Sequence, residues 1–73
     1  MGNQLPSLSG RKLVTILSKF GYQVVRQRGS HMRLEAPSRD PITVPDYKEI
    51  DRSLVRKILR DAHITVEEFL KKQ

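Results

Sequence analysis

The sequence predicts an α+β domain in which a three-stranded antiparallel sheet carries its helices on one face. Three observations predict it. Leu13, Val14, Leu17 and Phe20 recur at helical spacing. Three short runs rich in strand formers follow, separated by Gly and Pro turns. A second helical stripe, Leu54, Val55, Ile58, Leu59 and Ala62, comes after them. The order is helix, strand, strand, strand, helix, with a short extra C-terminal helix.

Residues 1–8 lack any periodic pattern and are expected to form a poorly ordered lead-in. Ser9 is the expected N-cap, because its hydroxyl can accept from the free amides of the next turn. A helix is expected over 9–20, with Gly21 ending it in a left-handed cap. Tyr22 to Gln27 reads as a strand whose alternation is imperfect. Arg28-Gly29 makes the turn, and the returning strand alternates cleanly. Met32, Leu34 and Ala36 are expected to face the core; His31, Arg33 and Glu35 face the other way. Pro37 to Pro41 reads as a turn, followed by a short strand, Ile42-Thr43-Val44, that Pro45 stops. Asp51 or Ser53 caps the second helix. Thr65-Val66-Glu67-Glu68 reads as a capping box that opens the last helix, with Phe69 and Leu70 on it. Leu13, Leu17, Phe20, Leu54, Ile58 and Leu59 are the expected core.

A chain of 73 residues is expected to be one domain, 1–73, near the lower limit for a self-sufficient core. No cysteine is present, which excludes a disulfide scaffold and a thiolate metal site. The N-terminus shows no signal-peptide pattern and no stretch is apolar enough for a membrane span, so a soluble cytoplasmic protein is expected. Fourteen Lys and Arg stand against eight Asp and Glu, a net charge of +6. Such an excess favours a polyanionic partner: nucleic acid, an anionic membrane surface or an acidic protein.

Within that basic chain, Arg28-Gly29-Ser30-His31-Met32-Arg33 puts a histidine just past a glycine turn and between two arginines. Histidine is the side chain that changes charge nearest neutral pH. Arginines beside it are suited to a substrate that carries phosphates. On pattern alone, His31 also fits an exposed strand residue without a task. Arg52, Arg56, Lys57 and Arg60 fit a solvated helix face, and His63 a cation near a helix C-terminus.

Phe20-Gly21-Tyr22, then Val24-Val25-Arg26-Gln27-Arg28-Gly29-Ser30-His31, resembles the signature of HicA-type toxins, also called the YcfA family. Val44-Pro45, Leu54 to Leu59 and Thr65 to Leu70 continue the resemblance over nearly all of the chain from residue 9. The resemblance implies a fold similar to the double-stranded RNA-binding domain. It also implies a toxin of a toxin–antitoxin pair, an mRNA interferase that cleaves mRNA and arrests translation. The family's catalytic histidine falls on His31, and a HicB-type antitoxin is expected to bind the toxin and mask it. Many family members carry a second histidine shortly after the Val-Pro, where this chain has Asp46-Tyr47-Lys48.

The expected chemistry is metal-independent RNA hydrolysis, with no cofactor. His31 would act as general base on a 2′-hydroxyl. Arg26, Arg28 and Arg33 would stabilise charge on the phosphate in the transition state. Ser30, Lys12 and Lys48 complete the expected RNA-binding set, and Tyr47 or Lys48 is a candidate proton donor. Two other functions fit the same residues: a non-catalytic RNA-binding module of the same fold, and an interaction protein whose basic surface docks an acidic partner.

Overall fold

Ser9 begins the regular structure. Its backbone is extended and its hydroxyl accepts from the Lys12 amide at 3.0 Å, capping helix α1 (Gly10–Ser18). The computed structural model describes residues 5–73. Leu13, Ile16 and Leu17 form the buried stripe of α1; Val14 and Phe20 are only partly buried. Gly21, at φ 99°, closes the turn after the helix. Its N–H donates to the Ser18 carbonyl, and the Tyr22 N–H reaches back to Leu17 at 3.3 Å. Tyr22 is thereby carried into the core, where its hydroxyl donates to the Asp40 carbonyl at 2.7 Å. Burial pushes the pKa of that phenol up.

The sheet has the order β1-β2-β3 and is antiparallel throughout. Its strands are β1 (Gln23–Arg28), β2 (His31–Ala36) and β3 (Arg39–Pro45). Met32 and Leu34 of β2 and Ile42 and Val44 of β3 are buried beneath the helices. His31, Glu35 and Thr43 are exposed on the other face, with Arg33 half-buried among them. β3 starts at Arg39, three residues before the expected strand, so the expected turn over 37–41 shrinks to Pro37-Ser38. The reason is a bulge. Leu34 pairs with Ile42 but Ala36 pairs with Arg39, so Asp40 and Pro41 together oppose Glu35. An edge strand accepts Pro41 there because no partner needs its missing N–H.

β1 carries a second irregularity. Val24 pairs with Leu34 and Arg26 with Arg33, which leaves Val25 as an extra residue. A one-residue insertion reverses which side of the sheet every later residue faces. Past Val25, Arg26 and Arg28 therefore stand on the open face, and Gln27, opposite Met32, stands on the helix side. This is the imperfect alternation visible in the sequence, resolved.

Asp51, of the two candidates, caps α2 (Arg52–Asp61) by accepting from the Leu54 amide at 2.8 Å. Val55, Ile58 and Leu59 bury its inner side, while Leu54 is only partly covered. His63 ends α2 at φ 58°, a left-handed residue where glycine is usual. Its N–H donates to Arg60 and the Ile64 N–H donates to Leu59 at 2.9 Å. His63 thus supplies a helix-ending backbone turn, and its ring lies 3.1 Å from the Asp40 carboxylate. The capping box forms as expected. Thr65 and Glu68 exchange hydrogen bonds of 3.1 and 2.9 Å and start α3 (Val66–Lys71), which buries Phe69. Glu68 is held below the usual carboxylate range, mainly by the Thr65 backbone amide.

The lead-in differs from expectation over 5–8. Leu5 is buried in the core, and Leu8 and Ile50 exchange backbone hydrogen bonds of 3.2 and 2.6 Å. A small core recruits these residues because each fully buried leucine contributes about 1.5–3 kcal/mol. The rest of that lead-in, 1–4, lies outside the described residues. Among the described residues, no helix is long and apolar enough to cross a membrane.

Candidate nucleic-acid interface

The β1–β2 turn and the parity of its two strands build the site. Gly29 takes φ 56° at the turn, a conformation that glycine adopts without steric cost. The structure places the turn at Gly29-Ser30, one residue later than Arg28-Gly29, because Arg28 still pairs with His31. Cross-strand pairing then sets Arg28 beside His31 and Arg26 beside Arg33, with Thr43 on the other side of Arg33. Arg26, Arg28, His31, Arg33 and Thr43 line a shallow concavity of about 140 Å³ on the face that no helix covers.

Its electrostatics are one-sided. Arg33 makes a loose 3.4 Å contact with Glu35. Among the described residues no carboxylate pairs with Arg26 or Arg28, and the His31 ring makes no hydrogen bond. Three guanidiniums around one imidazole can hold an anion with forked N–H donors and leave a ring nitrogen free to accept a proton.

The remaining expected site residues fall elsewhere. Ser30 is in the turn itself, half-buried, with its carbonyl accepting from the Asp46 amide at 2.7 Å. Lys12 sits on α1, in the helical layer on the opposite side of the sheet, and Lys48 is exposed in the loop after β3. Neither lines the concavity. Tyr47 follows Asp46 in that loop, about half exposed, and it too stands outside. His63 belongs to the end of α2 and contacts Asp40. Among the described residues no group of three or more His, Asp or Glu side chains could hold a metal ion.

Sequence reasoning missed the group beneath the turn. Arg11 grips Asp46 with two hydrogen bonds, Nε to Oδ1 at 3.2 Å and Nη2 to Oδ2 at 3.0 Å. The Gln27 amide donates to the same carboxylate at 3.2 Å and to the Gly29 carbonyl at 3.0 Å. Asp46 is consequently held below the usual carboxylate range, first by the Arg11 hydrogen bonds, which outweigh the opposing effect of burial, with a lesser contribution from Gln27. Nothing in the spacing of Arg11, Gln27 and Asp46 announces this contact. Only the doubled Val24-Val25 hinted that Gln27 would turn to the helix side.

The family model described as the HicA toxin of bacterial toxin-antitoxin matches residues 10–64. A chain in a solved toxin–antitoxin complex from Streptococcus pneumoniae shares this fold with a TM-score of 0.69 and 26% identity. That match covers 78% of this chain and 98% of the other. No curated protein matches. The family match begins at the first residue of α1, spans the whole sheet and ends past α2, and on that extent the chain belongs to the HicA toxin family.

Proposed function

We propose that this chain is the toxin of a toxin–antitoxin pair and that it cleaves mRNA without a metal, with His31 as general base. The observation that carries the reading is the placement of His31 in an arginine-lined concavity on the uncovered sheet face. A neutral imidazole takes the proton of a ribose 2′-hydroxyl, and that oxygen attacks the adjacent phosphorus. Arg26, Arg28 and Arg33 stabilise the charge that builds on the phosphoryl oxygens. The bond from phosphorus to the 5′-oxygen then breaks and that oxygen takes a proton from water, giving a 2′,3′-cyclic phosphate and a 5′-hydroxyl, while the His31 imidazolium returns its proton to solvent. The antitoxin, a HicB-type protein, acts by covering this same basic face, where its own carboxylates would displace RNA phosphates.

General-base catalysis of this kind contributes about 10²–10⁴-fold. His31→Ala should lower RNA cleavage by about that factor and relieve the growth arrest that wild type causes when expressed alone. RNA binding should persist. Equal arrest by both proteins would remove His31 from the reaction.

One observation favours the second reading, a non-catalytic RNA-binding module. Apart from His31, the concavity is lined by arginines and Thr43, and Tyr47 stands outside it. Among the described residues, no second proton donor of ordinary acidity therefore lines the concavity with His31. Purified wild type that binds RNA and never yields cyclic-phosphate ends would support the module.

A further inference from the structure

We infer that Asp46 is a positioning residue, which with Arg11 and Gln27 latches the His31-bearing turn to helix α1. The inference deepens the cleavage reading and rests on it for its kinetic test.

His31 is the first residue of β2, directly after a two-residue turn whose glycine is at positive φ. Such a turn has little stiffness of its own. Both of its carbonyls are nevertheless held from below. The Ser30 carbonyl accepts from the Asp46 backbone amide at 2.7 Å. The Gly29 carbonyl accepts from the Gln27 side chain, which is itself oriented by the Asp46 carboxylate. That carboxylate is clamped by the fork of Arg11, two planar hydrogen bonds that fix direction as well as distance. α1 is a rigid base for Arg11, because Leu13, Ile16 and Leu17 seat it in the core. The Gly10 N–H also donates to the Tyr47 carbonyl at 2.8 Å, tying the same loop to the helix N-terminus.

The Asp46 side chain is 21% exposed, whereas the Arg11 side chain that grips it is 74% exposed. An exposed ion pair of this kind contributes little to stability. Its geometry points to a different task. Without it, His31 would remain on the folded sheet but lose its fixed height above the scissile phosphate.

A surface-charge role and a positioning role make opposite predictions. If only charge matters, Asp46→Ala tightens RNA binding and Arg11→Ala weakens it, with kcat unchanged. Positioning predicts that both variants lower kcat by about 10- to 100-fold, in the same direction, whatever happens to KM. The double variant should then be no worse than either single one, since both break one contact. Asp46→Asn, which keeps one acceptor, should fall between wild type and Asp46→Ala. Amide hydrogen exchange supplies the readout that does not need catalysis. Asp46→Ala and Arg11→Ala should each speed exchange at residue 46, whose N–H is bonded to Ser30, while amides of α2 stay protected. Unchanged exchange there, or kcat values that stay at wild type, overturns the latch. If wild type cleaves nothing, the cleavage reading fails, and the exchange result alone decides the latch.

Discussion

At the scale of single residues, the proposed reaction divides the work of His31, Arg26, Arg28 and Arg33 between proton transfer and phosphate contact. The two roles separate by salt. Each lysine or arginine that neutralises a phosphate on single-stranded RNA contributes about 0.7 to the slope of log affinity against log salt. Arg26→Ala and Arg33→Ala should each reduce that slope by about 0.7, and His31→Ala, which removes no proposed phosphate contact, should leave it alone. Binding titrations at several salt concentrations read this directly. His31 and its neighbours were legible from the sequence, because clean alternation in β2 fixed their face. Asp46 was not, since a contact spanning 35 positions between a helix start and a loop leaves no periodic trace.

At the scale of elements, caps and turns were the most legible features. Ser9, Gly21, Asp51 and Thr65 all act where their chemistry suggested, because each hydrogen bond is local. His63 is the exception. A histidine in the left-handed region costs about 1–2 kcal/mol, which glycine does not incur. His63→Gly should therefore raise Tm by roughly 4–8 °C, net of a weak, exposed contact to Asp40. Thermal melts of His63→Gly and His63→Ala check it, and the alanine variant should show no gain. Strand ends were less legible than helix ends. Residues 39–41 look like turn by composition, yet an edge-strand bulge accommodates them, and only the neighbouring strand decides that.

At the scale of the whole molecule, a small core meets a large surface charge. Only 37% of the residues are hydrophobic, no polar or charged side chain is buried among the described residues, and the core recruits Leu5 and Ile50 from outside the regular elements. Two carboxylates, Asp46 and Glu68, are held below their ordinary values of 3.8 and 4.5 in the folded state. A group with a depressed folded pKa adds stability above its unfolded value and loses it as pH falls through the folded one. The thermal midpoint should therefore decline as pH drops below 4.5 and then 3.8, on the acid side only. Replacing both residues with their amides should lower Tm at neutral pH and flatten that acid decline. The extra residue in β1 has the broadest consequence. Deleting Val25 would leave the count of fourteen Lys and Arg, and the net charge of +6, untouched. It would also turn the bulge into a regular ladder, with Arg26 still opposite Arg33 and Arg28 still opposite His31 on the open face. Such a protein should therefore keep polyanion binding, RNA cleavage and antitoxin capture, and lose only the local bend of β1. Strand length and face assignment, which a deletion elsewhere in β1 alters at once, would then be varied independently.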